Sequence, residues 1–441
     1  MSRKDAEKMA QSLSMVSSSY RYKRLVLTAF ALAVGLLPFA LASAHEPITT
    51  KVRFNKEVIR VLQRSCLGCH RPGGIAMSLA TYEEARPWAK AIKEEMLEKR
   101  MPPWRAVKGY GEFRNSPPLT QRDVDLVVNW VEGGAPKGDV KDLPPAPLLS
   151  NDWALGNPDL VVKPKAESRI AADADDYRIF VLTTLKEDNK LVAIDLQPGN
   201  GSVVHCAKFF LVKGAGESTG EPMVPVKIDE TVVSNDLRSA TVLGTWVPGQ
   251  RIASLDEGLA YLLPAGSRIV VKMHYRGAGE AAGDLSTFGL YFAKTAPRAL
   301  IQEIQITNPD ALIPVAAEPQ PLKLSFTTQT DTEAVGIRPR VDPLLISLQA
   351  TAYRPDGSEE VLIWRRGYQF DWEPTYYFRA LVPLPKGTRI DVIAYFDNSE
   401  ANQKNPNDPP KPVKWSEIST DPLCALLLTS GIPSVNSQNL R

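Results

Sequence analysis

The sequence predicts a multidomain chain that is α-helical near its N-terminus and all-β beyond, with two tandem antiparallel β-sandwiches of jelly-roll-like form. Between about residues 54 and 134, apolar residues recur at helical spacing. From residue 152 onward, short β-branched runs alternate with Pro/Gly turns, which is the pattern of antiparallel sandwiches. The turn-and-strand segment Leu263–Ile269 recurs as Leu384–Ile390, and this repeat indicates two similar sandwiches.

The first 44 residues have the organisation of a secretory signal peptide. A basic cluster, Arg21 to Arg24, precedes an apolar run from Leu25 to Ala42, and the run closes on the small-x-small pattern Ala42-Ser43-Ala44. The run is nearly long enough to span a bilayer, so an uncleaved anchor is the competing interpretation. We expect residues 1–44 to be removed, and membrane contact only if the anchor is retained.

The stretch Cys66-Leu67-Gly68-Cys69-His70 has the C-x-x-C-H pattern of covalent haem c attachment. Its cysteines lie about one helical turn apart, so both sulfurs can reach the two vinyl groups of one porphyrin, with His70 as the proximal iron ligand. A redox dithiol or half of a zinc site are the alternatives. With four cysteines in all, no second such pair completes a zinc site, and a dithiol needs no adjacent histidine. We predict one haem c, held by Cys66 and Cys69 with His70 on its iron.

Export and haem attachment support each other, because this attachment takes place on the far side of the membrane. The Gram-negative periplasm is therefore the expected location. The whole chain has a formal net charge of +2, and residues 1–44 carry four more basic than acidic residues, so the mature chain has −2. A chain so close to neutral lacks the electrostatic signature of a nucleic-acid-binding protein. We expect no nucleic-acid partner.

Three helices are predicted around the C-x-x-C-H motif. They are Phe54–Ser65 with Asn55 as its N-cap, Thr81–Lys99, and a helix that follows a capping box at Thr120–Asp123. A first helix leading into the motif and a last helix packing across it resembles the plan of class I cytochromes c, over about residues 45–138. The resemblance implies a sixth iron ligand, in that family usually a methionine on a loop well after the motif.

Three methionines are candidates for this distal position. Met96 belongs to the helical pattern and is interpreted as a packing residue, and Met77 follows too closely on His70 to reach the opposite face of a haem. Met101 opens Met101-Pro-Pro-Trp104, where prolines end the helix and stiffen the backbone that presents the thioether. We predict Met101 as the distal ligand. The alternatives are a methionine that only packs at a helix end, or Cys206 or a distant histidine as ligand.

Residues 139–151 are proline-rich and without periodicity, so they are interpreted as a linker. The sandwiches are then assigned to residues 152–296 and 297–441.

Several segments of the sandwiches resemble the copper type II, ascorbate-dependent monooxygenases, the group that includes peptidylglycine and dopamine hydroxylases. The matching segments are Trp153–Asp159, Gln197–Asn200 with Val203-Val204-His205, Trp246–Gly249, Lys272–Tyr275, Arg354–Ser358 and Phe396–Ser399. The resemblance implies two coppers across a cleft between the sandwiches. One site has three histidines and passes electrons, and the other has two histidines and a methionine and activates oxygen. These ligand types suit copper that cycles between Cu(I) and Cu(II).

Most of these implied ligand positions are altered in this chain. The first site retains His205-Cys206, where the family has paired histidines, and His274. The second site falls on Pro339–Asp342, without histidine, and its late methionine falls on Leu423. The whole chain has only four histidines, and one of them is His70, so it lacks the nitrogen donors for a two-copper centre.

A single metal remains an open alternative at His205, Cys206 and His274, because two imidazoles and one thiolate suit a soft metal. Adjacent residues of a strand face opposite sides of a sheet, and the cysteine side chain is shorter than the imidazole it replaces. We therefore favour remnant core residues over retained copper. A Cys206–Cys424 disulfide is also allowed in an oxidising compartment.

The predicted function is electron transfer by an exported mono-haem c-type cytochrome. Its sandwich pair is expected to be a degenerate, non-catalytic relative of the copper monooxygenases that docks a periplasmic redox partner protein or a small-molecule ligand. The alternative is a single-copper monooxygenase whose own haem replaces ascorbate as electron donor. A purely structural envelope module is a third hypothesis, which the haem motif disfavours.

Overall fold

The structure is a computed structural model that describes residues 49–116, 119–146, 153, 155–213, 240–249, 255, 258–308, 310–341, 344–367, 374–414 and 424–433. This part is mostly β-sheet with few helices; the longer helices end at residue 132 and the strands begin at residue 160. The predicted signal peptide at residues 1–44 lies outside the described residues. Within the described ranges, none of the helices has the length and apolar character that crossing a membrane requires.

The helical elements lie between residues 54 and 142. They are a π-helical turn at Phe54–Val58 that continues as α1 (Ile59–Ser65), α2 (Tyr82–Ala85), a 3-10 turn at Arg86–Trp88, α3 (Ala89–Leu97), α4 (Gln121–Glu132) and a 3-10 turn at Val140–Asp142. The predicted second helix is divided at Arg86–Trp88, because Pro87 lacks the N–H that an uninterrupted α-helix needs there.

The capping box at the start of α4 is confirmed, and the predicted cap of the first helix is wrong. Thr120 Oγ1 accepts from the Asp123 N–H, and Asp123 accepts in return from the Thr120 N–H. Asn55 lies inside the π-helical turn, whose N-cap is Arg53. The Arg53 N–H donates to the Glu57 carboxylate at 2.9 Å, and the Asn55 amide instead holds the backbone at residues 138–139.

The first and last helices pack together, as the sequence predicts. The Phe54 and Trp130 rings have centroids 5.8 Å apart, and both side chains are buried. The indole N–H of Trp130 donates to the Pro136 carbonyl, so this large polar-tipped ring is satisfied inside the core. Met96 is buried in the same cluster, as expected of a packing residue.

Twenty strands run through the described residues, ten before and ten after residue 297. The first ten are β1 (Leu160–Val162), β2 (Ser168–Ile170), β3 (Asp175–Thr184), β4 (Asn189–Gln197), β5 (Val204–Val212), β6 (Thr241–Trp246), β7 (Leu259–Leu263), β8 (Arg268–Arg276), β9 (Ala282–Asp284) and β10 (Thr287–Phe292). The second ten are β11 (Ala299–Thr307), β12 (Leu312–Ile313), β13 (Gln320–Thr327), β14 (Thr332–Val341), β15 (Leu345–Tyr353), β16 (Glu359–Arg366), β17 (Tyr376–Leu384), β18 (Arg389–Phe396), β19 (Val413–Lys414) and β20 (Cys424–Pro433).

The two sets of ten strands have the same topology. The order β3-β8-β5-β6 of one four-stranded sheet matches β13-β18-β15-β16 of another, and the two-stranded sheet β2-β9 matches β12-β19. In the eight-stranded sheet, β1-β10-β4-β7 is followed by β11-β20-β14-β17. Each strand of the first set therefore corresponds to the strand ten places later. This duplication confirms the repeat that the two similar turn-and-strand segments indicate.

The halves share one large sheet instead of standing as two closed sandwiches. On each side of the junction, one half of the eight-stranded sheet packs against one four-stranded sheet. Each of these two pairs of sheets encloses its own hydrophobic core. The junction is a parallel pairing of β7 with β11, where Leu259 to Tyr261 align with Ala299 to Ile301. All other strand pairs in the described part are antiparallel.

Residues 104–115 form a strap that leaves the helical segment and lies on the second half. The Val107 N–H donates to the Trp364 carbonyl at 2.7 Å, and the Arg114 N–H donates to the Tyr377 carbonyl at 2.9 Å. Phe113 is buried within the second hydrophobic core. The helical segment is thus anchored to the β-rich part by backbone hydrogen bonds and by apolar burial.

Candidate functional site

The C-x-x-C-H motif begins at the C-terminal end of α1. The Cys66 N–H still bonds to the Leu62 carbonyl at 2.8 Å, as in the helix, and the His70 N–H closes the next turn on the Cys66 carbonyl at 3.0 Å. Cys66 and Cys69 are both free thiols. The motif therefore presents two thiols and one imidazole on a single short loop.

The imidazole of His70 is oriented by a backbone group that the sequence analysis missed. Its Nδ1 lies 3.0 Å from the carbonyl oxygen of Met77. A carbonyl oxygen only accepts, so Nδ1 carries the proton and Nε2 keeps its lone pair. Metal-binding histidines are commonly fixed in this way, which both orients the ring and raises the basicity of the ligating nitrogen. His70, Cys66 and Cys69 thus fit the attachment of a covalent haem, and Met77 contributes its backbone, not its thioether.

Both motif thiols are poor candidates for dithiol exchange. Burial, together with the neighbouring Cys69, raises the pKa of the Cys66 thiol to about 12. Burial raises the pKa of Cys69 to about 11, although Arg71 acts in the opposite direction. A redox dithiol needs a thiolate near neutral pH, which requires a lowered pKa. The redox-dithiol alternative for this motif is therefore disfavoured by the environment of the thiols.

The motif packs against two turns of the first sandwich. The Cys69 thiol donates to the Pro248 carbonyl at 3.0 Å. Gly249 has φ +74°, and a Cβ atom there would lie 2.7 Å from the Cys69 sulfur. On the other side, a Cβ atom on Gly201 would lie 2.8 Å from the Gly73 carbonyl oxygen. Glycine at 249 and 201 allows this close approach of backbone to backbone.

Met101 lies just after α3, where its N–H donates to the Glu95 carbonyl at 3.1 Å. Its side chain is 38% exposed. Nothing in the geometry tests it as an iron ligand, so this role stays a prediction.

His205, Cys206 and His274 come together on the four-stranded sheet of the first half. Each offers one donor atom, and the three donor atoms lie within 4.8 Å of one another. The strand pairing of β5 with β8 shifts between Val204 and Cys206, so His205 is the extra residue of a β-bulge. The regular alternation that would separate two adjacent side chains is interrupted at this point. The expectation that strand alternation keeps the His205 and Cys206 side chains on opposite faces is therefore wrong at this bulge.

The two imidazoles belong to a chain of polar contacts with a defined direction. Nδ1 of His205 lies 3.1 Å from Nδ1 of His274. Nε2 of His274 lies 2.6 Å from the Asp175 carboxylate, and the Arg276 guanidinium lies 3.4 Å from Nε2 of His205. Because Arg276 can only donate and Asp175 accepts, the chain is satisfied when His205 donates to His274 and His274 donates to Asp175.

Asp175 responds to this contact. The hydrogen bond from His274 lowers the pKa of the Asp175 carboxyl, burial acts in the opposite direction, and the charge of Arg276 lowers it further. His205 and His274 are 5% and 2% exposed, and the Tyr177 ring stacks on the His274 ring with centroids 4.3 Å apart. The two imidazoles are thus covered from solvent, whereas Cys206 is partly exposed and Asp175, which accepts from His274, is accessible.

The second half repeats the backbone of this site without its donors. Its β15–β18 pairing shifts between Leu345 and Ser347, so Ile346 is the extra residue of a corresponding bulge. Ser347 is paired with Tyr395 as Cys206 is paired with His274. The bulge is therefore a property of the fold, and the two imidazoles and the thiol are specific to the first half.

The cluster and the C-x-x-C-H motif lie at the same end of the first sandwich. Strand β5 begins at Val204, directly after the turn at Gly201 that meets Gly73. Ala207 on β5 is paired with Trp246, the last residue of β6, and Pro248 follows two residues later. Adjacent strands are about 4.8 Å apart, so Cys206 and the Pro248 turn that holds Cys69 are near neighbours.

The other implied copper position is only partly described. Pro339 is within β14, the side chain of Arg340 and all of Asp342 and Leu423 lie outside the described residues, and so does the side chain of Cys424. The Cys206–Cys424 disulfide therefore stays a prediction.

A cleft lies where the two halves meet. Its walls include Trp246 and Tyr261 from the first half and Thr375 and Tyr377 from the second. The Arg338 guanidinium donates to the hydroxyl of Thr375, a residue of the cleft wall, and forms a buried ion pair with Glu303 at 2.5 Å. The cleft mixes apolar and polar groups, a common feature of small-molecule sites.

No protein-family model and no curated protein matches the chain. Among solved structures, it is similar to the major capsid protein P2 from bacteriophage PM2, with 10% identity, 63% of this chain and 98% of that chain covered, and a TM-score of 0.26. It is also similar to a structure of infectious bursal disease virus, Gt strain, with 12% identity, 62% and 77% covered, and a TM-score of 0.17. A structure of allantoicase matches with 10% identity, 51% and 77% covered, and a TM-score of 0.15. Likenesses with TM-scores this low carry no argument about this chain.

Proposed function

We propose that the protein is an exported mono-haem c-type cytochrome that transfers electrons in the periplasm. The observation that carries the proposal is the C-x-x-C-H loop, with two free thiols and an imidazole whose Nδ1–H is held by the Met77 carbonyl. That hydrogen bond leaves Nε2 of His70 as the nitrogen that can ligate iron. Cys66 and Cys69 would hold the porphyrin, His70 its iron and Met101 the opposite face. When bound, the haem supplies one-electron redox chemistry.

The residues around the motif have a positioning role in this proposal. The Pro248 carbonyl holds the Cys69 segment, and the Gly249 and Gly201 turns pack against the motif loop. These contacts fix the loop against a rigid β-sheet, which favours electron transfer because the redox group then needs little structural rearrangement. The Cys66 and Cys69 side chains are partly buried, which limits the access of water to that side.

The sandwich pair has a docking role in this proposal, for a periplasmic redox partner protein. The cleft between the halves, with Trp246 and Tyr377 on its walls, is the candidate position for a small-molecule ligand. In this account the sandwiches are distant relatives of the copper monooxygenases whose two-copper centre has been lost. The histidine count supports this, since four histidines in the whole chain do not supply the five that such a centre needs once His70 is assigned to haem.

A second candidate function is a single-copper monooxygenase that receives electrons from its own haem. The observation that favours it is the convergence of His205, Cys206 and His274 within 4.8 Å. It differs from the first candidate in requiring a substrate whose C–H bond is oxidised in the presence of oxygen.

The test is a redox titration of the full-length protein secreted by a host that matures c-type cytochromes. The proposal predicts one haem per chain that is reduced and reoxidised reversibly by one electron. The Cys66→Ala/Cys69→Ala double variant should be colourless, and Cys206→Ser, which leaves the motif intact, should keep the full haem content. Secreted protein without haem, or a haem that stays redox-silent over physiological potentials, would contradict the proposal.

A further inference from the structure

We propose that the second half holds a carboxylate-binding site beneath the strap, formed by the Arg365 guanidinium and the Tyr376 hydroxyl, with Arg105 at its edge. The site itself rests on the geometry of the second half. Its carboxylate comes from a free small molecule or from a propionate of the haem, and only the second source rests on the proposed function.

Arg365, on β16, carries a buried positive charge that none of the described residues neutralises. Its side chain is 2% exposed, and its Nη1 has no hydrogen-bond partner. The described part of the chain contains no ion pair of Arg365, whereas the equally buried guanidinium of Arg338 pairs with Glu303. A guanidinium that is taken out of water without a counter-charge is strongly destabilising. An anion bound at Arg365 would remove this penalty.

Tyr376, on β17, places its hydroxyl beside the same guanidinium. The side chain is 1% exposed, and within the described residues its Oη has no hydrogen-bond partner. Burial raises the pKa of Tyr376, while the nearby charge of Arg365 and the N–H of Arg105 act in the opposite direction, so the three residues lie close together. Neither contact has the geometry of a hydrogen bond. The raised pKa keeps the hydroxyl protonated, and it can therefore donate to a ligand.

Arg105 brings a second positive charge to the edge of the site. Its strap neighbour Ala106 forms a β-bridge with Arg365, and the Arg366 N–H donates to the Arg105 carbonyl at 3.1 Å. A Cβ atom on Gly367 would lie 3.7 Å from Nη1 of Arg105, so the guanidinium of Arg105 lies along this end of β16. Burial lowers the pKa of Arg105, and the charge of Arg365 lowers it further. Two like charges held this close together favour an anion beside them.

The donor set favours a carboxylate over other anions. A guanidinium presents its N–H groups in a planar fork that fits both oxygens of a carboxylate, and the hydroxyl of Tyr376 adds a further donor. The rings of Trp104 and Phe113 pack on the Tyr376 ring, with centroids 4.7 Å and 5.3 Å away. These apolar walls exclude water, which strengthens a charged hydrogen bond. A phosphate group brings more charge and more oxygens than these donors satisfy.

Two sources of the carboxylate agree with the position of the site. Arg105 is only partly buried, so the edge of the site is open to a free carboxylate from solvent. Arg105 also follows shortly after Met101, the predicted distal ligand, so the strap leads from the expected haem region to the site. A haem carries two propionate groups, and one of them is the second source.

The first half shows that the fold does not require this buried charge. Arg365 is paired with Leu348 on β15, and the corresponding residue of β5, Ala207, is paired with Trp246. An apolar ring thus occupies in the first half the position that Arg365 has in the second. Apolar side chains in place of a buried charge are often neutral or stabilising. A guanidinium retained in one half only is the feature that the carboxylate site explains.

The experiment is urea unfolding of the full-length secreted protein in sodium formate, with sodium chloride at the same ionic strength as the reference. If the carboxylate is a free molecule, formate should stabilise the wild type, and the folded-to-unfolded ratio should rise about 100-fold at 100 times the dissociation constant. Arg365→Met should not respond, and Tyr376→Phe should bind formate about 10-fold more weakly. Arg389→Met, which removes an exposed arginine of the same half, should respond as the wild type does.

A haem propionate at the site gives a different result. The wild type should then not respond to formate, because its site is already filled. In Arg365→Met the released propionate titrates, and its negative charge favours ferric haem. The haem reduction potential of Arg365→Met should therefore fall more steeply between about pH 4 and pH 7 than that of the wild type or of Arg389→Met.

Two outcomes overturn the proposal. One is a wild type that does not respond to formate, together with an Arg365→Met variant whose reduction potential has the wild-type pH dependence. The other is stabilisation by formate that Arg365→Met retains in full. Tyr376→Phe keeps the aromatic ring and serves in both measurements if Arg365→Met fails to fold. Haem content is measured separately, so a chain without haem contradicts the proposed function and leaves the formate measurement to decide the site.

Discussion

The sulfur of Cys69 lies 3.0 Å from the carbonyl oxygen of Pro248, and through this contact the C-x-x-C-H motif meets the first sandwich. The two residues are far apart in sequence, yet a glycine follows one and precedes the other. Gly68 and Gly249 let the two backbones approach so closely that a Cβ on Gly68 would lie 2.8 Å from the Gly249 Cα. The contact joins the motif to the turn that follows β6. The neighbouring strand β5 carries His205 and Cys206, which lie beside His274.

Gly249→Ala should destabilise the protein more than a comparable glycine substitution elsewhere. Alanine in a left-handed conformation costs about 1–2 kcal/mol, and the forced contact with the Cys69 sulfur adds about 1–3 kcal/mol. Gly266→Ala is the control, because Gly266 has φ +75° with open space around it. Urea unfolding of both variants measures the difference. Equal losses of unfolding free energy would show that the Cys69 contact is not tight.

Asp123 should make the stability of the helical segment depend on acid pH. Burial acts to raise its pKa, but hydrogen bonds from Thr120 and the charge and hydrogen bond of Arg64 outweigh it, and the pKa is lowered. A carboxyl whose folded-state pKa is below its unfolded value of about 3.9 stabilises the fold above that pH. That stability is lost as pH falls below about 4 through the folded-state pKa.

Asp123→Asn tests this directly by far-UV circular dichroism between pH 7 and pH 2. The variant should lose about 1 kcal/mol at pH 7, because the neutral amide removes the charge that pairs with Arg64 and that stabilises the N-terminus of the helix, and it should be less sensitive to acid than the wild type. Asp125→Asn, on the same helix, is the control, and it should leave the acid limb unchanged. An acid limb of wild-type steepness in Asp123→Asn would contradict the assignment.

The buried ion pair of Arg338 and Glu303 should be costly to break from one side. Their side chains are 3% and 13% exposed, and the two strands that carry them belong to the shared eight-stranded sheet. Arg338→Met leaves Glu303 charged and buried and should cost about 3–5 kcal/mol. The double variant Arg338→Met/Glu303→Leu should recover most of this loss in thermal or urea unfolding. A double variant no more stable than the single one would show that packing, not the unpaired charge, determines the effect.

Met101→Ala should abolish the weak near-infrared absorption band of methionine-ligated ferric haem. Met77→Ala is the matched control, because Met77 orients His70 through its backbone carbonyl and its side chain is 46% exposed. The band should therefore persist in Met77→Ala. Its survival in Met101→Ala would identify another group as the distal ligand.

Local sequence patterns predicted several helices, strands and caps, but they did not predict how these elements are arranged relative to one another over long sequence distances. The capping box at Thr120 and the repeat at Leu263 and Leu384 depend on neighbouring residues, so the sequence displays them directly. The parallel pairing of β7 with β11 joins segments that carry no mutual signal in a single sequence. The packing of the strap at residues 104–115 on the second half was also not predictable from the sequence. Its aromatic residues are as suitable for a helical core as for a sandwich core.

The site shows the same division. The candidate ligand residues of the motif and of the His205, Cys206 and His274 cluster could be predicted from the sequence, because few residue types bind haem or a soft metal. The bulge at His205 could not be predicted, because an extra residue in one strand is defined only by its pairing with the partner strand. Such a residue reverses which face of the sheet the following side chains point to. Asp175 was also missed, because the histidine that it contacts, His274, is distant in sequence. The Met77 carbonyl was missed because it acts through the backbone, which the residue type does not reveal.

The most direct test of the central claim is the intact mass of the secreted protein after acid–acetone extraction, which removes haem that is not covalently bound. We predict a mass equal to that of a chain beginning at His45 plus one haem. In Cys69→Ala, the haem should be held by at most a single thioether bond. A wild-type chain at the bare polypeptide mass, from a host able to mature c-type cytochromes, would contradict it.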